Sequence, residues 1–236
     1  MDVADSAVRE RRIEWGGPLR LVAALFGLIA LGCVLALVAQ DALASSLDGP
    51  ALRYAVRNRS DLMSSIAGAL THLGAPALLL VIAVGLGWAW WARKATVVPL
   101  AMLLITWLGG EVLFNAVKLL VDRPRPPAAL AMGHFGGLAF PSGHATQAAA
   151  VWGMVAALAL LTGRTRAEKR AVLAVCVITA IVVGVTRVYL GAHWISDVLG
   201  GWLLGALWLV AVLWIVNPSK RLDGAGGGDL AVNAEV

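Results

Sequence analysis

The 236-residue chain is predicted to be all-α and polytopic in a membrane, with six transmembrane helices and both termini cytoplasmic. Three observations predict this. Hydrophobic residues make up 60% of the sequence and charged residues only 14%, well short of the roughly 25% that covers a soluble domain. The apolar residues gather into six long runs bounded by charges or turn residues. Ten Trp against four Phe and two Tyr suit anchoring at a bilayer interface.

The six runs are Leu21 to Ala39, Ala75 to Ala92, Ala95 to Val117, Ala145 to Leu161, Ala171 to Thr186 and Val198 to Val216. A bilayer core about 30 Å thick needs about 20 residues of helix, so the longer runs span unaided and the shorter ones borrow flanking residues. Within lipid the backbone must satisfy its own hydrogen bonds, which selects helices, and the short alternating segments of a barrel are missing from the sequence. The first run follows Arg9, Arg11, Arg12 and Arg20 as a signal peptide would. Its 19 residues exceed the 7 to 15 or so of a signal h-region, so it is read as a retained first helix.

Orientation follows from charge. A cytoplasmic N-terminus places twelve of the nineteen Lys and Arg inside and seven outside, the bias of the positive-inside rule. The expected organisation is a cytoplasmic interfacial segment over residues 1–20, a transmembrane domain over 21–216 and a flexible cytoplasmic tail over 217–236. Trp88, Trp90 and Trp91 beside Arg93 and Lys94 form a cytoplasmic belt. The segment Asp41 to Asp61 reads as amphipathic pieces on the outer surface, more a linker than a functional part. Cys33 and Cys176 lie inside apolar runs without metal-ligand spacing and are read as buried free thiols. The net charge of +5 is clustered between spans, which gives no reason to expect nucleic acid as a partner.

Three polar clusters stand out, because ionisable side chains at membrane depth are costly enough to require a partner or a function. The first is Lys118-Leu-Leu-Val-Asp122-Arg123-Pro124-Arg125-Pro126-Pro127, where the prolines enforce an extended exit that can aim Arg123 and Arg125 back toward Lys118. The second, Phe140-Pro141-Ser142-Gly143-His144, runs straight into the fourth span. Free N–H groups of a first helical turn, a Ser142 hydroxyl and a Gly143 that allows close approach make an anion site there, with His144 beside it. In the third, His193 and Asp197 are spaced i, i+4 after Arg187. If the sixth helix has begun by His193, the carboxylate accepts one ring N–H and leaves the other nitrogen nucleophilic. Each cluster alone also has a plain structural reading: a snorkelling Lys with surface arginines, a Ser-capped helix start, a satisfied His/Asp couple. All three fall on the outer side. Together they hold the parts for metal-free phosphoryl transfer: cations, an anion-binding helix start and two histidines, one oriented by a carboxylate.

Lys118 followed by Arg125-Pro126, then Pro141-Ser142-Gly143-His144, then Arg187 with His193 and Asp197, resembles the three-part signature of the type-2 phosphatidic acid phosphatase superfamily, in its membrane-bound lipid phosphatase branch. The resemblance implies a hydrolase acting on a lipid phosphate or polyprenyl pyrophosphate at the outer face of the cell membrane, with no cofactor or metal. It implies that His193 attacks phosphorus, Asp197 holds the ring, and His144 protonates the leaving group and then activates water. Lys118, Arg125, Ser142, Gly143 and Arg187 would bind the phosphate oxygens. Polyprenyl pyrophosphate, phosphatidylglycerol phosphate and phosphatidic acid are the expected lipid partners. A lipid-phosphate binding or transport protein without hydrolysis is the alternative. Thr186 stands where the family usually has Ser and is left out of the site. Arg123 is expected to pair with Asp122, Glu111 to anchor hydrogen bonds between helices, and His72 and His134 to have no catalytic role.

Overall fold

The computed structural model describes residues 27–29, 31–32, 44–161 and 165–216. A π turn, Ala44–Asp48, leads into α1, Gly49–Arg57, and α2 covers Asp61–Leu70 before a 3-10 turn, Thr71–Gly74. The long helices are α3, Pro76–Lys94, and α4, Val98–Val121. Next come α5, Gly143–Gln147, a π turn, Ala148–Trp152, and α6, Gly153–Leu160, which run head to tail as one rod. The series ends with α7, Arg166–Tyr189, and α8, Ile195–Val216. Among the described residues there is no strand. α3, α4, α7 and α8 are each long and apolar enough to cross a membrane. The chain is a multi-pass membrane protein.

Five of the six apolar runs are therefore helical, with ends shifted by up to five residues. The first run lies mostly outside the described residues, as do the N-terminal segment, the C-terminal tail and Cys33. Cys176 is buried and free. Local chemistry explains the boundaries. Pro76 opens α3, where a missing N–H costs nothing, and Pro99 does the same for α4. Asp122, at φ 50°, closes α4 by returning its N–H to the Lys118 carbonyl, and Pro124, Pro126 and Pro127 then exclude further helix. Thr165 and Glu168 form a reciprocal capping box that starts α7.

α4 is the central element, packed against α3 and α8, while α8 also packs along α5 and α7 along α6. Met102, Leu103, Leu113, Val117, Met154, Leu204 and Trp208 fill the shared core. Lipid offers no hydrophobic drive between helices, so close approach through small residues matters most. Gly201 of α8 lies so near the start of α5 that a Cβ would stand 2.8 Å from the Ser142 carbonyl oxygen. A Cβ on Gly205 would collide with the Thr146 carbonyl, and one on Gly109 with the Trp208 indole. Trp208 donates its indole N–H to the Thr106 carbonyl at 3.0 Å, and Gln147 donates to Glu111 at 2.8 Å. Glu111 thus anchors α4 to α5, as its polarity inside a span implied.

The segment after residue 41 is more than a linker. α1 turns Leu52 inward and leaves Tyr54 exposed, the amphipathic habit expected of it. α2, which no apolar run announced, is capped by the Ser60 hydroxyl and held to α7 by Ser60 N–H and Ser64 Oγ at the Tyr189 hydroxyl. Arg59 donates twice to the Tyr189 carbonyl.

Candidate active site

The end of α4, the start of α5, the end of α7 and the start of α8 meet at one end of the helices, and the three polar clusters meet with them. Backbone bonds fasten the clusters together. Ala139 N–H donates to the Arg123 carbonyl at 2.8 Å, and Ser142 N–H donates to the Asp197 carbonyl at 3.0 Å. The second cluster is thus fixed to the third directly, and to the first through the residue that precedes it, before any side chain is considered.

His193 is 2% exposed and sits in the turn before α8, which begins only at Ile195. The helix has therefore not begun at His193, so the carboxylate reaches the ring from the first turn of α8 back to the turn that precedes it. Gly191, at φ +71°, makes the turn, and the N–H groups of Ala192 and His193 both return to the Arg187 carbonyl at 3.0 and 3.3 Å. Asp197 reaches back across this first turn: its Oδ2 accepts the Trp194 N–H at 2.8 Å and lies 3.4 Å from His193 Nδ1. Among the described residues, that nitrogen makes no hydrogen bond, and Asp197 is the carboxylate it faces. The opposite nitrogen, Nε2, lies 3.3 Å from Arg125 Nη1. Burial, reinforced by the charges of Arg125, Lys118 and Arg187, holds the His193 pKa well below the ordinary imidazole value. The ring is therefore neutral at physiological pH.

The cations are held by neutral groups. Lys118 Nζ donates to the Leu138 carbonyl at 2.6 Å, and Arg125 donates to the carbonyls of Gly137 and Ala192 at 3.0 and 2.7 Å. Arg125 lies within electrostatic range of Lys118, and both are near Asp197. Burial lowers the Arg125 pKa, with the Asp197 charge opposing. Arg187 donates to the Thr71 hydroxyl at 2.9 Å and stacks over Phe135, 5.0 Å from its centroid. Among the described residues, none of these three cations forms a salt bridge.

Ser142 caps α5 by accepting the Ala145 N–H at 3.4 Å, and its hydroxyl hydrogen is what it can offer an anion. Gly143 has a packing cause that the sequence did not reveal: a Cβ there would stand 2.9 Å from the Phe114 ring. His144 is the second residue of α5, half-buried, and within electrostatic range of Arg187, His193, His72 and Arg125. Thr71 and Phe135 were missed by sequence reasoning, since single residues in a turn or loop carry no pattern, whereas His72 was considered there and read as non-catalytic. His134 lines a cavity of about 400 Å³ together with Arg125, Phe135 and Gly191.

Arg123 requires a correction. Asp122 is not its partner. It is 5% exposed and extends Nη2 to Asp48 Oδ2 and Nη1 to Asp197 Oδ1, both at 2.6 Å. Asp48 was not singled out in the sequence at all.

A buried imidazole thus stands beside a carboxylate and near three cations that form no salt bridge among the described residues, at one end of the helical bundle. Residues 94–221 match the profile of the PAP2 superfamily, and the chain belongs to it, in the branch of its membrane lipid phosphatases. Phosphatidylglycerophosphatase B of Bacillus subtilis is 34% identical over 75% of this chain and 86% of its own length. Lipid A 1-phosphatase of Rhizobium johnstonii is 34% identical over 44% of this chain and 46% of the relative. Among solved structures, the transmembrane PAP2-type phosphatidylglycerolphosphate phosphatase from Bacillus subtilis superposes with a TM-score of 0.74 at 30% identity, covering 84% of this chain and 98% of that one. LpxE of Aquifex aeolicus shares the fold, with a TM-score of 0.55 at 21% identity over 70% of this chain and 92% of its own.

Proposed function

We propose that this chain is an integral-membrane phosphatase that releases phosphate from a lipid phosphate or polyprenyl pyrophosphate at the outer face of the cell membrane, without a metal and through a phosphohistidine. The carrying observation is the His193 ring, with Nδ1 toward Asp197 and Nε2 among Arg125, Lys118 and Arg187. In this reading Nε2 attacks phosphorus, the bond from phosphorus to the lipid oxygen breaks, and His144 gives that oxygen its proton. Asp197 stabilises the imidazolium that forms. His144 then takes a proton from water, whose oxygen attacks phosphorus, breaks the P–N bond and releases inorganic phosphate. Lys118, Arg125, Arg187, Ser142 and the Gly143 N–H neutralise the nonbridging oxygens. The domain spans residues 21–216 with six transmembrane helices, flanked by cytoplasmic segments 1–20 and 217–236.

The relatives' names supply two candidate substrates, phosphatidylglycerol phosphate and a lipid A phosphate, beside polyprenyl pyrophosphate and phosphatidic acid. Purified protein in detergent with a chelator is expected to release phosphate from at least one of them and to be inhibited by vanadate. His193→Ala is expected to lower kcat by about 10³-fold or more, and denaturing quench of the wild type should trap acid-labile phosphohistidine. Strict dependence on a divalent metal, or binding without phosphate release, would overturn the proposal.

A further inference from the structure

We infer that Asp48 and Arg123 are positioning residues for the nucleophile, acting on His193 through Asp197; the inference rests on the phosphatase reading above. Arg123 lies between two carboxylates. Its Nη1 donates to Asp197 Oδ1 at 2.6 Å and to Ser196 Oγ at 2.7 Å, and its Nη2 to Asp48 Oδ2 at 2.6 Å. Asp48 in turn accepts the Ser196 N–H on Oδ1 at 2.9 Å and the Ser196 hydroxyl on Oδ2 at 2.8 Å. Asp48 is 2% exposed and Asp197 fully buried, so water cannot substitute for any of these partners.

Each bond has a consequence one step nearer the chemistry. Arg123 takes Oδ1 of Asp197 and the Trp194 N–H takes Oδ2, which fixes the plane of the carboxylate and leaves its Oδ2 edge toward His193 Nδ1. Asp48 holds the residue preceding Asp197 by backbone and side chain together, pinning the first turn of α8. It also neutralises Arg123, so that the guanidinium does not draw the full charge of Asp197 away from the ring. A planar fork satisfies two carboxylates at once, which a lysine could not do from one position. Arg123 and Ser196, to which Asp48 is bonded, are not among the groups proposed to bind phosphate. The carboxylate comes from the turn leading into amphipathic α1, 149 positions before Asp197 in the chain, so the nucleophile's alignment depends on that surface segment being seated.

The test is a double-mutant cycle on the full-length protein in detergent, with the lipid phosphate that the wild type hydrolyses fastest. Asp48→Asn is expected to lower kcat about tenfold with KM within about twofold, and to have no further effect once Asp197→Asn is present. Ser196→Ala, a milder change, is expected to lower kcat about threefold and likewise to fall silent in the Asp197→Asn background. The same factor lost in both backgrounds, an unchanged kcat, or a loss confined to KM would overturn the inference. If Asp48→Asn elutes as aggregate, Ser196→Ala and Arg123→Lys carry the same cycle. A wild type that hydrolyses no lipid phosphate removes the phosphatase reading and this inference with it. An active wild type, silenced by His193→Ala but indifferent to Asp48→Asn, removes this inference alone.

Discussion

Arg123 and Arg125 are two positions apart on a proline-stiffened, non-helical segment, and they face opposite tasks. Arg125 stands half-buried beside His193 Nε2, held by carbonyls, whereas Arg123 turns inward to bridge Asp48 and Asp197. The signature in the sequence separates them only by register, and the Asp48 partner could not be read there, since nothing local links positions 48, 123 and 197. The neutrality of His193 leads to a pH prediction. The attacking form is the unprotonated ring, so a pKa depressed by burial and neighbouring cations moves the loss of activity to lower pH. The acid limb of kcat that His193 sets should therefore lie below about pH 6.5, where an ordinary imidazole is half protonated. Arg125→Gln removes one of those cations. It should shift the acid limb upward while lowering kcat/KM at least about tenfold. A pH-rate profile of both proteins checks the sign, and a downward shift would contradict it.

At the level of elements, the long apolar runs were legible because lipid enforces length and composition, and the five that fall in the described residues are helices. Their ends were less so. α4 and α7 continue a turn past their apolar stretches, carrying Lys118 and Arg187 on helical backbone into the site. α2 went unread because its ten residues mix Asp61, Ser64 and Ser65 among apolar ones, and its hold on Tyr189 is a tertiary fact. The contact between α8 and the start of α5 depends on Gly201, whose missing side chain admits the Ser142 carbonyl. Gly201→Ala must push that turn away from Asp197. The expected cost is about 1–3 kcal/mol of stability from overpacking, read as a lower Tm in detergent, together with a fall in kcat. An alanine variant with wild-type Tm and turnover would show that the two helices part without consequence.

Across the whole molecule, the connections alternate ends, so the site clusters all fall at one end and the turns at Ala95 and Thr165 at the other. That arrangement was legible from charge alone, because the cations of the apparent outer loops coincide with the motifs. The orientation is testable: Tyr54→Cys, at a position 73% exposed, should react with an impermeant maleimide on intact cells, and Arg166→Cys only after permeabilisation. The reverse pattern would invert the proposed topology. Lys118, Arg125 and Arg187 rest on carbonyl and hydroxyl oxygens rather than on carboxylates. Such a cradle does not discriminate between a phosphoryl group still bearing its lipid and one that has lost it. Liberated orthophosphate should therefore compete for the same seat, and turnover in the cell would slow as ambient phosphate accumulates, a brake set by the product itself.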